Sequence, residues 1–151
     1  MNKSILHKQI EHLLEESNII AALANVSACI NDNLNRVNWV GFYFTTENDL
    51  VLGPFQGKVA CTHIPFGKGV CGTSVKEKRG IIVDDVHQFP GHIACDSASQ
   101  SELVAPLIFD NVVYGVLDID SPELNRFTQE ELEEFNSIAI LIAQKLHSQQ
   151  L

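Results

Sequence analysis

Three of the four cysteines of this 151-residue chain, Cys61, Cys71 and Cys95, fall in one stretch, and most of the other chemically capable residues lie around them. Gly67, Gly69 and Gly72 form a glycine loop, and His63, His87 and His92 supply imidazoles. Clustered cysteines outside an oxidising compartment serve more often as metal ligands or redox groups than as structural staples. Three chemistries compete. Zinc binding has enough ligands, but the paired C-x-x-C spacing that makes such a site specific is missing. Dinucleotide binding has the glycine pattern Gly67-x-Gly69-x-x-Gly72, with Asp84 further on. Pro65 interrupts the strand that should run into that loop, and no further βα units follow. The loop can still offer backbone N–H groups to a small anion such as a carboxylate. The third chemistry is thiol redox, in which a nucleophilic thiolate is oxidised and a second thiol resolves it as a disulfide. Asp96 would raise the pKa of Cys95, so activation there must come from His92, backbone donors or the substrate.

Carboxylates and aromatic rings form a second set. Asp118 and Asp120 are two apart in an apolar run, so on a strand they share one face with Val112, Tyr114 and Val116, while Val113, Leu117 and Ile119 take the other. Such a pair suits a cationic group, or it is a strand end emerging into solvent. Glu102 is either an exposed strand start or a third carboxylate of the same site. Trp39 and Tyr43 alternate with Val40, Phe42 and Phe44, which puts the indole and the phenol on one face. That face could enclose a methyl or cationic group, or be plain core.

These groups need a scaffold, and the totals allow one domain spanning 1–151. A hydrophobic content of 45% with 19% charged residues is that of a globular chain, and the length buries an adequate core without disulfides. The net charge of −9 excludes nucleic acid and an anionic membrane surface as natural partners. The N-terminal residues lack the apolar core of a signal peptide, which predicts a cytoplasmic protein.

Apolar spacing predicts a first helix through Ile5, Leu6, Ile10, Leu13 and Leu14. A second follows through Ile19, Ile20, Leu23, Val26, Ile30 and Leu34, with Cys29 as a small buried hydrophobe. From Val37 the period becomes two. The pattern predicts a hairpin with its turn at Thr45–Asp49 and second strand at Leu50–Phe55, then an extended piece over Lys58–Ile64. A short helix over Val70–Lys78 and a strand at Ile81–Val83 come next, then an irregular connection over His87–Ser101. Strands at Glu102–Phe109 and Val112–Asp120 precede a final helix. That helix is opened by a Thr128-x-x-Glu131 capping box, with Phe127 stapled on Leu132. Helices at both ends of a run of antiparallel strands make one α+β domain.

The segments NWVGFYF, PFGKGVCG, HIACD, SELVAPL and GVLDIDSP, with Cys61 shortly before the second, resemble the free methionine-(R)-sulfoxide reductases, a family built on a GAF domain. The similarity runs from about Asn18 to Leu146. It implies a central six-stranded antiparallel sheet with the N- and C-terminal helices on one face and a ligand pocket on the other. It further implies that Cys95 is the nucleophile, Cys61 its resolving partner and Cys71 an auxiliary thiol. Trp39, Tyr43, Glu102, Asp118 and Asp120 would line the substrate pocket. No cofactor and no metal are implied. The expected substrate is free methionine sulfoxide, with thioredoxin or a similar dithiol as reductant, and the oligomeric state is open between a monomer and a homodimer. Asp118 is expected to hold the substrate ammonium, and Asp120 or Glu102 to supply a proton. The reading from a different class is a non-enzymatic GAF sensor of a small ligand or of redox state, which would bind without turnover.

Overall fold

Local signals set where the helices begin. The computed structural model describes residues 3–92 and 98–149. Helix α1 (Ile5–Leu13) starts where the Ser4 hydroxyl accepts from the His7 N–H at 3.0 Å. Helix α2 (Ile19–Asn33) starts where Asn18 Oδ1 accepts from the Ala21 N–H at 3.0 Å. The expected capping box opens α4 (Gln129–Ser148), with the Glu131 N–H donating to Thr128 Oγ1 and the Thr128 N–H to Glu131 Oε1. Each such cap satisfies a backbone donor that the first turn leaves without a partner.

The strands are β1 (Trp39–Thr45), β2 (Asp49–Gly57), β3 (His63–Pro65), β4 (Ile81–Val83), β5 (Ser101–Phe109) and β6 (Val112–Ser121), with helix α3 (Gly69–Glu77) between β3 and β4. They form one sheet in the order β3-β2-β1-β6-β5-β4, antiparallel at every junction. One face is covered by α1, α2 and α4. Val40, Phe42, Leu103, Ala105, Leu107, Leu117 and Ile119 there meet Leu23, Val26 and Ile30 of α2 and Phe135, Ile138, Ala139 and Ile142 of α4. Phe127 and Leu132 are buried in this same core. The other face carries a second apolar cluster, with Trp39, Tyr43, Val104 and Val116 from the sheet and Val70 and Cys71 from α3. The expected fold is therefore the observed one.

Four expectations need correction. Lys58–Ile64 is not one extended strand, since β3 spans only His63–Pro65. Two carbonyls of the preceding segment are taken by side chains instead: Lys58 accepts from Trp39 Nε1 at 3.1 Å and Cys61 from the Tyr43 hydroxyl at 2.9 Å. Tyr114 does not share a face with Val116 and Asp118. The β5–β6 register shifts between Leu107 and Ile108, so that Leu107 opposes Gly115 and Ile108 opposes Val113. Such a bulge turns Tyr114 into the helix-side core, where its hydroxyl lies 2.6 Å from His147 Nδ1 of α4. Ile5 and Ile20, counted in the apolar stripes, are exposed. Cys29 is half-buried, its thiol within hydrogen-bond distance of Gln9 Oε1.

Gly115 marks the closest approach of β6 to β1. A methyl there would lie 2.1 Å from the Tyr43 carbonyl oxygen and 3.0 Å from Phe44 Cα, both backbone atoms that cannot yield cheaply. Gly115→Ala is therefore expected to cost about 1–3 kcal/mol, by analogy with overpacked cores. A urea titration at unchanged slope reads the loss, and an unaltered midpoint would count against this account of the β1–β6 contact.

Candidate active site

The sheet register assembles the site. Trp39 of β1 pairs with Asp120 of β6, Asp120 with Glu102 of β5, and Glu102 with Val83 of β4, so one cross-strand row carries an indole and two carboxyl groups. In the next row on the same face, Gly41 opposes Asp118 and Asp118 opposes Val104. Directly opposed side chains stand about 4.5–5.5 Å apart at Cβ, so the three carboxyl groups converge. Because β5 and β6 are interior strands and α3 lies across this face, Glu102 is only 8% exposed and Asp118 6%. Asp120, nearer the strand end, is half-buried. The acidic pair is thus no strand end emerging into solvent, and Glu102 is a third member of the group.

Burial dominates the electrostatics. Loss of hydration pushes the Glu102 carboxyl well above its ordinary pKa, and the charge of Asp120 adds to this. Asp118 is pushed well above its ordinary value in the same way, by burial first and the charge of Glu102 second. The Cys71 thiol is likewise driven up by burial, then by Asp118, Glu102 and Asp120. Cys71 Sγ and one oxygen each of Glu102 and Asp118 lie within 4.8 Å of one another, a donor set that could hold a divalent ion. All three groups favour their protonated forms, which a metal would have to displace. One atom is left over: Asp118 Oδ1 is fully buried and, among the described residues, has no hydrogen-bond partner. Leaving a buried carboxyl oxygen unpaired costs roughly 1–3 kcal/mol, so a donor that enters the pocket recovers that energy.

An aromatic wall stands beside the acids. The Trp39 ring stacks on Tyr43 with centroids 5.9 Å apart and on Phe55 at 5.1 Å. It lies flat across β1 because residue 41 is glycine: a methyl there would come within 2.7 Å of the Trp39 ring and 2.3 Å of Phe55 Cβ. Burial, reinforced by the charge of Asp118, raises the Tyr43 hydroxyl, which stays a neutral donor to the Cys61 carbonyl.

Helix α3 closes the pocket from above. Val70 and Cys71, in its first turn, line the cavity together with Lys68, Gly69, Ile64, Val86, His92 and Ser99. The glycine-loop amides are largely spent within the protein: Gly67 N–H donates to the Gly72 carbonyl, Lys68 N–H to Pro65 and Gly69 N–H to Gly91. Among the described residues no side chain caps α3 at Lys68, and none caps the first-turn N–H groups of Val70 and Cys71 on the pocket wall.

The expected residues therefore meet in one pocket, Trp39, Tyr43, Cys71, Glu102, Asp118 and Asp120 among them. Cys61 follows Ala60 on its rim and is disulfide-bonded, while Cys29 and Cys71 are free thiols. Cys95, the expected nucleophile, lies outside the described residues. Phe55, Ile64, Val86 and Ser99 were not singled out from the sequence, since each is an ordinary apolar or small residue whose place depends on register or loop course.

Comparison with known proteins points the same way as this geometry. The family model described as the GAF domain matches residues 21–147. The chain is 53% identical over 116 residues to the free methionine-R-sulfoxide reductase of Escherichia coli, covering 77% of this chain and 70% of that protein. Among solved structures, the reduced form of the Staphylococcus aureus fRMsr superposes with a TM-score of 0.89 at 53% identity, covering 94% of this chain and 93% of that one. The free methionine-R-sulfoxide reductase of Neisseria meningitidis, solved in complex with its substrate, gives 0.91 at 39% identity over 95% and 87%. An acid-floored, indole-walled pocket on a GAF sheet and relatedness along most of the sequence thus lead to one conclusion: the chain belongs to the free methionine-R-sulfoxide reductases, within the GAF-domain family.

Proposed function

We propose that this chain reduces the (R)-sulfoxide of free methionine to methionine, drawing its electrons from cysteine thiols. The observation that carries the reading is a buried pocket in which three carboxyl groups face an indole while Asp118 Oδ1 has no partner among the described residues. A free amino acid brings an ammonium group for that oxygen, which a methionine within a peptide lacks. Its carboxylate fits the uncapped first turn of α3, where N–H groups and the helix dipole favour negative charge. The S-methyl end then packs on Trp39.

In this scheme the Cys95 thiolate attacks the sulfoxide sulfur, and a carboxyl group protonates the departing oxygen. Glu102, or Asp120 opposite it, suits the proton transfer, since burial holds Glu102 in its acid form. The oxygen departs as water once a second proton arrives, leaving Cys95 Sγ bonded to the methionine sulfur. Water then attacks Cys95 Sγ and expels methionine with the S–S electron pair. Cys95 thereby becomes a sulfenic acid, and the Cys61 thiol condenses with it to a disulfide and water. A disulfide at Cys61 alongside free thiols at Cys29 and Cys71 is what that pairing requires. Cys71 stays protonated in its acidic surroundings and serves as an auxiliary thiol. Thioredoxin or a similar dithiol would return the pair to thiols. We place the whole chain, 1–151, as one GAF domain acting in the cytoplasm, where such reductants are maintained. No helix among the described residues is long and apolar enough to cross a membrane.

Purified protein mixed with free methionine (R)-sulfoxide and a dithiol is expected to release methionine, and binding without product would leave a sensor instead. In a single turnover of the reduced protein, Cys95→Ser is expected to give no methionine and Cys61→Ser about one equivalent, because only the second retains the attacking thiol. Product from Cys95→Ser would move the nucleophile elsewhere.

Trp39→Ala is expected to raise KM about tenfold or more with a smaller change in kcat, since the lost surface binds the substrate rather than reacting with it. An unchanged KM would remove Trp39 from the binding wall.

A stability test follows from the raised carboxyl pKa of Glu102. A raised acid is fully accommodated below its unfolded value, and stability is lost as pH climbs from there through the folded value. Glu102→Gln removes that liability. Its melting temperature is therefore expected to exceed the wild type by roughly 2–4 °C at pH 8, equivalent to about 1 kcal/mol, with the gap shrinking toward pH 5. Turnover is expected to fall in the same variant. A pH-independent difference in melting temperature would show that Glu102 is not a buried acid.

A further inference from the structure

The surface beside Cys61 does not match the rest of the chain. The protein carries a net charge of −9, yet five of its ten Lys and Arg residues and a single acid, Glu77, lie between positions 58 and 79. Lys78 and Arg79 are engaged with Asn111 and Glu77 at the far end of α3. Lys58, Lys68 and Lys76 are exposed and, among the described residues, make no ion pair. Lys76 folds back toward the loop, its Nζ 3.9 Å from where a side chain on Gly67 would begin. Two apolar residues complete the patch: Val59 is 90% exposed and Phe66 is 38% exposed. Val59 stands two residues before Cys61 and Phe66 directly after β3, so both neighbour Cys61 along the chain, and neither belongs to the two buried clusters.

We propose that this face, Lys58, Val59, Phe66, Lys68 and Lys76 around Cys61, docks the protein that reduces the disulfide, and that this partner is a dithiol protein acidic and apolar around its thiols. The inference rests on the redox cycle proposed above. The partner's thiolate attacks Cys61 Sγ, forming a mixed disulfide and expelling the Cys95 thiolate, which takes up a proton. The partner's second thiol, as its thiolate, then attacks the partner's own sulfur and releases the Cys61 thiolate, leaving this chain with two thiols and the partner with a disulfide. Nearby lysines favour every anionic sulfur along that path and steer an acidic partner, while Val59 and Phe66 provide the apolar contact that gives a short-lived complex its hold. A second copy of this chain is disfavoured as occupant, because a two-fold contact through this face would bring lysines against lysines.

The test uses the full chain with reduced thioredoxin as electron donor, alongside dithiothreitol. Val59→Asp and Lys76→Glu are each expected to raise the KM for thioredoxin about fivefold or more, and high salt is expected to raise the wild-type KM in the same direction. Turnover driven by dithiothreitol is expected to stay within about twofold of wild type in both variants, which also reports that they fold. An unchanged thioredoxin KM in both variants, or an equal loss with both reductants, would overturn the docking surface. Absence of turnover by the wild type with either reductant would instead overturn the proposed redox cycle. Sedimentation showing a dimer that Val59→Asp dissociates would assign the face to a second copy and reject the dithiol partner.

Discussion

Everything about this pocket follows from placing three carboxyl groups together on the inner strands of a sheet, where, among the described residues, no cation forms an ion pair with Glu102 or Asp118. Glu102 and Asp118 are shut away from water by α3 above and by the sheet below, and the opposite face of that sheet is a dry core packed by α2 and α4. Water cannot stabilise their charges, and each charge raises the proton affinity of the next. The resting pocket is therefore a store of protons next to an acceptor, Asp118 Oδ1, that no described residue fills. A zwitterion suits such a place better than a neutral ligand, because its ammonium both fills the acceptor and lets a carboxyl group ionise without leaving a bare buried charge. On the proposed function, binding and proton supply both draw on this one electrostatic property.

The thiols divide by environment rather than by number. Cys71 lies within reach of Asp118 and Glu102, so its thiolate is the least favoured state available to it. Cys61, on the rim and half-exposed, is held by its backbone through Tyr43 and is already bonded to another sulfur. Cys29 sits between α1 and α2, on the helical side of the sheet and away from the pocket. A thiol that must be attacked from outside needs exposure, and one that lines an acidic cavity does better as a small, neutral neighbour of the carboxyl groups.

Much of this was legible in the sequence, because period-two alternation assigns faces without knowledge of partners. Trp39, Tyr43, Asp118 and Asp120 all lie on the face the pattern gave them, and the helix-side placement of Phe42 and Phe44 was equally plain. The union of Trp39, Asp120 and Glu102 in one row was not legible, since it depends on the register of β1 and β5 against β6, which is set by turns and a bulge. That bulge also defeated the assignment of Tyr114, because the extra residue breaks the alternation at that point, while Val116, Asp118 and Asp120 beyond it keep the pocket face. The segment after β2 misled for a different reason. Its composition suits a strand, but its carbonyls are claimed by an indole and a phenol that lie far off in sequence. Ile5 and Ile20 fit the helical period and still face solvent, being at the first turns, beyond the reach of the sheet.

Those two long-range bonds, Trp39 Nε1 to the Lys58 carbonyl and the Tyr43 hydroxyl to the Cys61 carbonyl, weld two rings of the pocket wall to the backbone that presents the disulfide-bonded sulfur of Cys61. On the proposed function, recognition and electron transfer are consequently inherited as a unit. A lineage that reshaped the rings to admit a bulkier thioether would loosen the sulfur's seat at the same moment. Drift toward new substrates must then pass through forms that bind before they can recycle, which is a physical reason for such a pocket to stay narrow in what it accepts.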